Sequence, residues 1–499
     1  MITTLLDNLK SHKNIRQNLS ALRQELKDPV ALSTLRRKLQ WEDEFASLLL
    51  SLLANEDAKT RKNTALLMGD LAFDEFLDPL FHGYQLETQR FVRSAYLLAL
   101  QNFNCTPYLT ELKEQISLLN QVALTAENQK HIAEELRALS QLLVLEEGIL
   151  PHTFIGYHYP LDCILLTNRN YKELTEVQIT SGELIPFLAG VRVRTEDIQS
   201  LLEIRTYSEL LIVIPDLAPV SQDPTTAAKE IAQSQLLTLL QRTHQESTPF
   251  YFRLELKTKM QLDRKSIFAK KFASELERLS KRQLLNSTSR YEIELRLIEN
   301  KLGTFSVLLK LGTLPDLRFH YRQESVAASI RPSNAAQLVA LAQDYMIEDS
   351  RTLDPFCGVG TMLIERQMLR KGNTSYGIDF YAPAIEKARV NTEAAGQIVH
   401  YINRNFFDFT HEYLFDEILT DMPFVTGHKS EEEIVELYEK FFVKAQEVLT
   451  TSGTIIMYSH NPELVRELSL QHPYHILEAW EIMKKENTWL FVIRFNDTI

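Results

Sequence analysis

Two acidic residues and a glycine turn are spaced in the way that an adenosine-type ligand requires. Asp354 ends an apolar stretch in LDPFCGVGT, and Gly358 and Gly360 lie in the turn before the next predicted helix. Glycines at such a turn let the backbone approach a ligand closely. Asp379 ends the next predicted strand 21 residues after Gly358, where doubly wound folds place a carboxylate on the hydroxyl pair of a ribose.

The same segment favours S-adenosyl-L-methionine over a dinucleotide. The loop lacks the third glycine of GxGxxG, and the sequence contains no GxxxxGK[ST] phosphate loop. Asp354 is a poor neighbour for phosphate but a good one for the cationic methionine end of S-adenosyl-L-methionine. Asp408, after a third predicted strand, is placed to accept a hydrogen bond from an adenine amine, and a simple turn Asp fits that position equally well.

A second candidate site follows the apolar stretch FDEILTDMPF. Asp421, Pro423 and Phe424 close this stretch, which otherwise has the composition of a buried strand. A single Asp at a strand end is common, because strand ends meet water and turns favour Asp. The proline and the aromatic residue that follow it are less easily explained as a simple turn.

Both sites lie on a pattern that predicts a parallel sheet. From residue 346 onwards, apolar strand-like stretches alternate with helical ones, which is typical of βαβ units. The last two stretches, AWEIMKK and TWLFVIRF, are separated only by EN and predict an antiparallel pair at one edge. Ligands of such sheets bind beyond the carboxyl ends of the strands, where these acidic residues fall.

The sequence at these positions resembles a known family. DPFCGVGTMLIE and TDMPF are similar to the first and fourth motifs of the THUMP-associated class I methyltransferases, which modify guanosine in structured RNA at the exocyclic N2 amine. YEIELRLIENKLGTFSVLLKL and LRFHYRQESVAASIRPSNAAQLV resemble the strand pair and the linker that precede the catalytic domain of that family. The resemblance spans about 150–499 and leaves the N-terminal part outside.

The resemblance implies S-adenosyl-L-methionine as the cofactor and no metal. The cofactor-binding residues that it implies are Arg331, Pro332, Asp354, Phe356, Gly358, Gly360, Thr361, Asp379, Phe380 and Asp408. The implied catalytic residues are Asp421, Pro423 and Phe424. Cys357, beside the glycine turn, is interpreted as a packing residue.

The target chemistry that the resemblance implies suits an acid, a proline and an aromatic ring. A nucleobase amine is a poor nucleophile, because its lone pair is delocalised into the ring. Asp421 and the backbone carbonyl next to Pro423 would accept its N–H bonds, and Phe424 would stack on an extruded base. Position 425 is Val where one form of the family motif has Gly, which places the path of this loop in question, although Gly427 could supply flexibility.

Composition narrows the class of protein. The 499-residue chain has ordinary globular proportions of apolar and charged residues, 44% and 24%, and no run of 18 apolar residues that predicts a membrane span. Its start lacks the pattern of a secretory leader, so a cytoplasmic location is expected. Three widely separated cysteines predict neither a disulfide framework nor a zinc site. The net charge of −12 argues against indiscriminate nucleic-acid coating.

The N-terminal part, residues 1–148, is predicted to be entirely helical. Apolar residues recur at three- and four-residue spacing, and the segments around Arg61 and Arg93 align with a period of 32 residues. This pattern resembles HEAT repeats, and an irregular helical bundle is the alternative. The helical part is predicted either to bind a protein partner or to alter the RNA contact.

The central part is predicted to be α+β. We expect a ferredoxin-like subdomain at 149–216, a THUMP-like RNA-binding domain at 217–315 and a linker at 316–345 before the catalytic domain at 346–499. One helix is predicted across 225–241 and another across 266–285. Residues 257–301 hold twelve Lys or Arg against six Asp or Glu, which is consistent with contact to structured RNA through 217–315 or with a merely solvated helix face.

The resulting hypothesis is a methyltransferase that acts on a guanine N2 amine in tRNA or rRNA. Adenine N6 methylation is the alternative within the enzyme class, since related motifs serve that amine too. A non-catalytic RNA-binding scaffold and a methyltransferase for small molecules or proteins also remain open, because the cofactor fold says little about the substrate. The sequence does not identify the RNA, the nucleotide or the oligomeric state.

Overall fold

The chain divides into two compact units, Met1–Pro151 and His152–Ile499. A computed structural model describes residues 2–39, 42–123, 125, 127–147, 152–327, 329–424 and 431–495. None of the helices in these ranges combines the length and the apolar character that a membrane span needs.

The described residues of the first unit form helices joined by turns and loops, with no strand among them, as the sequence predicts. Its helices are α1 (Ile2–Lys10), α2 (Ile15–Glu25), α3 (Pro29–Leu39), α4 (Asp43–Leu53), α5 (Ala58–Leu71), α6 (Leu77–Leu86), α7 (Arg90–Leu100), α8 (Leu109–Gln121) and α9 (Gln129–Glu147). Helices α5, α7 and α9 pack side by side in succession around one hydrophobic core. The described helices therefore form a stacked array.

The two arginines that mark the 32-residue period each bind a carboxylate. Arg61 donates to both carboxylate oxygens of Glu87 at 2.8 Å. Arg93 donates to Glu135, whose side chain is fully buried, at 2.6 Å. The partner of Arg61 lies 26 residues later in the chain and that of Arg93 lies 42 residues later, so these contacts do not repeat with the 32-residue period.

The second unit begins with an eight-stranded sheet. Its elements are β1 (Leu161–Leu166), α10 (Glu173–Glu176), β2 (Glu183–Ile185), β3 (Val191–Thr195), α11 (Ile198–Leu201), β4 (Glu209–Val213), α12 (Pro224–Ala232), α13 (Leu236–Thr243), β5 (Phe250–Lys257), α14 (Leu262–Leu279), β6 (Leu284–Asn286), β7 (Ile293–Glu299) and β8 (Phe305–Leu311). The strand order is β2-β3-β1-β4-β8-β7-β5-β6. β4 pairs with β8, so strands of the two predicted subdomains share one sheet and one hydrophobic core.

Two predicted helices of this region are wrong in extent. The segment 225–241 forms two helices, α12 and α13, with a break at Ser234, whose hydroxyl donates to the Ile231 carbonyl and accepts from the Leu236 N–H. The last residues of the segment 266–285 leave α14, and Leu284 and Leu285 begin the edge strand β6. Pairing with β5 overrides the helical pattern there.

The remaining elements form the predicted α/β domain. They are α15 (Pro332–Leu341), β9 (Arg351–Asp354), α16 (Thr361–Leu369), β10 (Thr374–Asp379), α17 (Ala382–Ala394), β11 (His400–Asn403), β12 (Phe415–Asp421), α18 (Glu431–Val448), β13 (Leu449–Ser459), α19 (Pro462–Gln471), β14 (Tyr474–Met483) and β15 (Thr488–Phe495). The predicted linker 316–345 thus contains α15, which packs against α16.

The strand order of this second sheet places the two candidate sites side by side. The order is β11-β10-β9-β12-β13-β15-β14, with the first five strands parallel. The antiparallel pair of β14 and β15 confirms the predicted pair at one edge. Because the chain turns back between β9 and β12, their carboxyl ends border the crevice in which doubly wound folds bind ligands.

Candidate active site

A cavity of about 280 Å³ lies beyond the carboxyl ends of β9, β10 and β12. Nine of the thirteen predicted site residues line it, from both motifs. They are Asp354, Phe356, Gly358, Thr361, Asp379, Phe380, Asp421, Pro423 and Phe424. The two motifs, separated by more than forty residues in the sequence, therefore meet in one site.

The glycine turn between β9 and α16 is constrained in two different ways. Gly360 has φ +82°, and a Cβ atom there would lie 2.1 Å from the hydroxyl oxygen of Tyr401. Tyr401 is buried, and its hydroxyl is bonded to that of Thr392 at 2.7 Å, so it has no room to yield. Gly358 has φ +52°, and a Cβ atom there would meet no atom within 4 Å. Gly360 is thus required by packing, whereas Gly358 faces open space at the cavity.

Alanine substitutions should separate these two roles. Gly360→Ala should lower the free energy of unfolding by about 2–4 kcal/mol, because it combines overpacking with a left-handed backbone. Gly358→Ala should keep the fold, at a cost of about 1–2 kcal/mol, and weaken S-adenosyl-L-methionine binding about tenfold or more by filling the approach to the turn. Urea unfolding and calorimetric titration measure the two effects. Unchanged cofactor affinity in Gly358→Ala would show that the cofactor does not approach this turn.

Asp354 is a buried carboxyl group that forms no ion pair with any described residue. Its Oδ1 accepts hydrogen bonds from the Phe356 N–H at 3.1 Å and from the Thr420 hydroxyl at 3.0 Å. Burial, with a smaller contribution from the nearby acidic side chains of Asp421 and Asp379, raises its pKa to about 8. Three acidic groups around one cavity favour a positively charged ligand.

Asp379 holds the glycine turn from the end of β10. Its Oδ2 accepts from the Gly358 N–H at 3.0 Å, and its Oδ1 accepts from the Tyr381 N–H at 2.8 Å. The sequence suggested only a ribose contact for this carboxylate. The structure adds a positioning role, because the same side chain fixes the loop that the ligand must approach, and the ribose contact stays a prediction.

Asp421 carries an unused hydrogen-bond acceptor. It ends β12 opposite Tyr458 of β13, and the Met422 N–H donates to the Tyr458 carbonyl at 2.9 Å. The Oδ1 atom of Asp421 is buried and has no hydrogen-bond partner among the described residues. Burial raises the pKa of this carboxyl to about 7. Since a buried acceptor without a partner is costly, this atom is suited to receive a donor from a ligand.

His460 adjoins the site although the sequence did not indicate it. Its ring stacks on Phe424, with the centroids 4.2 Å apart and 22° between the planes. The residue follows Ser459, the last residue of β13, next to the strand that ends at Asp421. Burial lowers the pKa of His460, which favours a neutral ring. In the sequence, the position of His460 just beyond the end of a predicted strand could have indicated this contact. Val425 and Gly427 lie outside the described residues.

Four predicted cofactor residues do not line the cavity. Gly360 lies in the glycine turn, directly before Thr361, which does line the cavity. Arg331 is exposed just before α15, and Pro332 is the first residue of that helix. The two residues before them, Ser329 and Ile330, do line the cavity. Asp408 is exposed at the end of a 3₁₀ turn, so its contact with adenine stays a prediction.

Several solved structures are similar to this chain. SMU.472, a candidate methyltransferase complexed with SAH, is 14% identical with a TM-score of 0.51, covering 68% of this chain and 99% of that chain. A predicted N6-adenine-specific DNA methylase from Listeria monocytogenes is 15% identical with a TM-score of 0.50, covering 68% and 96%. TrmN from Thermus thermophilus is 18% identical with a TM-score of 0.49, covering 68% and 100%.

The fold and the cavity together define a class I methyltransferase-like α/β domain. Residues 319–483 match the model of the UPF0020 family, RMKL-like, methyltransferase domain. The methyl donor of this domain is S-adenosyl-L-methionine, and the acidic cavity with Asp354 at its base fits the positive charge of that cofactor. The sequence-based prediction of the cofactor is therefore confirmed.

Proposed function

We propose that the protein methylates RNA, transferring a methyl group from S-adenosyl-L-methionine to the exocyclic N2 amine of a guanosine in tRNA or rRNA. The observation that carries the proposal is the buried, unpartnered Oδ1 atom of Asp421 in the same cavity as Asp354. An amine that donates an N–H to this atom would be held at the edge of the cofactor site.

The residues around Asp421 supply positioning and no covalent nucleophile. When bound, S-adenosyl-L-methionine supplies a methyl group from its sulfonium to the amine nitrogen. Asp421 accepts one N–H of the amine, and with a pKa of about 7 its carboxylate can take the proton that the methylated nitrogen releases. Pro423 fixes the turn that aims the neighbouring carbonyl at the amine. Phe424 presents a ring on which an extruded base can stack, worth about 1–3 kcal/mol, and His460 holds that ring in place.

A basic helix supports RNA as the substrate class. Arg264, Lys270 and Lys271 are exposed on α14, and none of them forms an ion pair with a carboxylate in the described part of the chain. The opposite face of α14 is apolar and packs into the core through Phe268 and Phe272. We propose that this exposed face contacts the phosphate backbone as part of a THUMP-like domain at 217–315.

The helical unit at 1–148 is proposed to be a HEAT-like array that binds a protein partner. Successive packing of α5, α7 and α9 supports the repeat interpretation. An enzyme acting on tRNA or rRNA is expected in the cytoplasm. The same acceptor geometry would serve adenine N6, which is the alternative within the enzyme class.

Methyl transfer to RNA tests the proposal. Labelled S-adenosyl-L-methionine is incubated with tRNA and rRNA fractions from cells that lack the protein, using the native enzyme, Asp421→Ala and the exposed control Asp344→Ala. We expect labelling by the native enzyme and the control, loss of labelling in Asp421→Ala, and N2-methylguanosine after nucleoside digestion and mass analysis.

Other outcomes identify the alternatives. N6-methyladenosine in the digest would replace guanine N2 by adenine N6 as the target. No labelling of any RNA fraction, with the cofactor still bound in calorimetry, would overturn the proposed activity. Absence of cofactor binding would favour a scaffold that keeps only the fold.

A further inference from the structure

Arg322 lies directly behind the wall of the cofactor cavity. It follows the buried Tyr321, whose hydroxyl donates to Glu365 of α16 at 2.5 Å. The Arg322 guanidinium donates to the hydroxyl of Thr361 and, at 3.4 Å, to the carbonyl of Ile330. Thr361 and Ile330 both line the cavity. The arginine is therefore separated from the cavity only by residues that line it.

The nearby Arg205 and Arg318 have carboxylate partners, and Arg322 has none within the described ranges. Arg205 binds Glu365 at 2.7 Å, and Arg318 binds Asp316 at 2.6 Å. Arg322 is half-buried, and burial lowers its pKa, an effect that Tyr321 offsets only in part. A guanidinium that is partly removed from water without a counter-ion is stabilised when an anion binds beside it.

The amino-acid end of the cofactor offers such an anion. That end carries an ammonium group and a carboxylate, and the carboxylate needs a cationic partner, which the acidic side chains of Asp354, Asp379 and Asp421 do not supply. Arg322 touches Thr361, the first residue of α16, and the N-terminus of a helix also favours negative charge. We infer that Arg322 binds the methionine carboxylate of S-adenosyl-L-methionine, while Asp354 faces the positive charge of the same molecule.

Cofactor analogues test this inference without any RNA. The affinities of S-adenosyl-L-methionine and of its decarboxylated form, which keeps the ammonium and the sulfonium, are measured by calorimetry for the native protein, Arg322→Lys and Arg322→Met. In Arg322→Met we expect about a 10- to 100-fold loss of affinity for S-adenosyl-L-methionine, the usual range for a charged hydrogen bond. The decarboxylated form should bind native protein and variant within about twofold, and Arg322→Lys should retain part of the difference.

A matched control excludes a general effect of losing an arginine. Arg389 also donates to a backbone carbonyl, that of Tyr401 at 3.0 Å, and does not line the cavity. Arg389→Met should leave both affinities unchanged. Equal losses for both ligands in Arg322→Met would overturn the inference and leave Arg322 a purely structural residue. The inference rests on the cofactor site of the proposed enzyme, and because no substrate is present, it can stand even where RNA methylation fails.

Discussion

Asp421→Asn should lower kcat for methyl transfer about 100- to 1,000-fold while the affinity for S-adenosyl-L-methionine changes little. The substitution keeps the size of the side chain but removes its charge and its ability to take a proton. The unpartnered Oδ1 atom of Asp421 would be the group that accepts the amine N–H. Single-turnover rates on the RNA fraction that accepts the methyl group measure the chemical step. Calorimetric titration measures the affinity for the cofactor separately.

The pH dependence of kcat gives an independent test of the same role. Burial raises the pKa of Asp421 to about 7, so the carboxylate form increases as the pH rises through 7. With saturating cofactor, the native kcat should rise about tenfold per pH unit below 7 and level off above it. The Asp421→Asn variant should show no such step. A variant that keeps both the native rate and the native pH profile would show that Asp421 is not the acceptor.

The parts of this site that follow from local sequence were predictable. The strand ends at Asp354, Asp379 and Asp421 and the positive φ angles of the two glycines depend on residues close in the chain. The parallel order of the strands follows from alternating apolar periodicity. Together, these features predict that the two motifs lie at the same end of one sheet.

The parts that were missed depend on contacts between distant segments. The stacking of His460 on Phe424 requires β13 to lie next to β12, and the hydrogen bond from Gly358 to Asp379 requires β9 next to β10. The single eight-stranded sheet arises because β4 pairs with β8. Which strands lie next to each other cannot be predicted from the charge or the apolar periodicity along the chain. Arg322 was missed for the same reason, since its lack of a carboxylate partner appears only in three dimensions.

Asp354→Asn should abolish measurable cofactor binding and stabilise the empty domain at alkaline pH. If this carboxylate faces the cationic end of the cofactor, as proposed, its loss should lower the affinity about 100-fold or more. Asparagine can keep the hydrogen bonds from the Phe356 N–H and the Thr420 hydroxyl through its side-chain oxygen. Calorimetry of the variant with S-adenosyl-L-methionine measures the loss of binding.

The direction of the effect of Asp354 on stability follows from its pKa values in the folded and unfolded states. The folded pKa of Asp354 is about 8, whereas an unfolded Asp has a pKa of about 4. The folded state therefore holds a proton that the unfolded state releases, and the native protein loses stability as the pH rises from 4 to 8. Asparagine has no such penalty, so its advantage should grow across this range by up to about 1.4 kcal/mol per pH unit.

Urea unfolding at pH 6, 7 and 8 without cofactor tests this dependence. Trp480 and Trp489 lie in the α/β domain, so in a Trp41→Phe background their fluorescence reports on that domain. The stability difference between Asp354→Asn and the background should widen with pH and reach a few kcal/mol at pH 8. A difference that is constant with pH would mean that Asp354 is ionised in the empty site. The cofactor would then enter a site that already carries the negative charge, and its binding would release no proton.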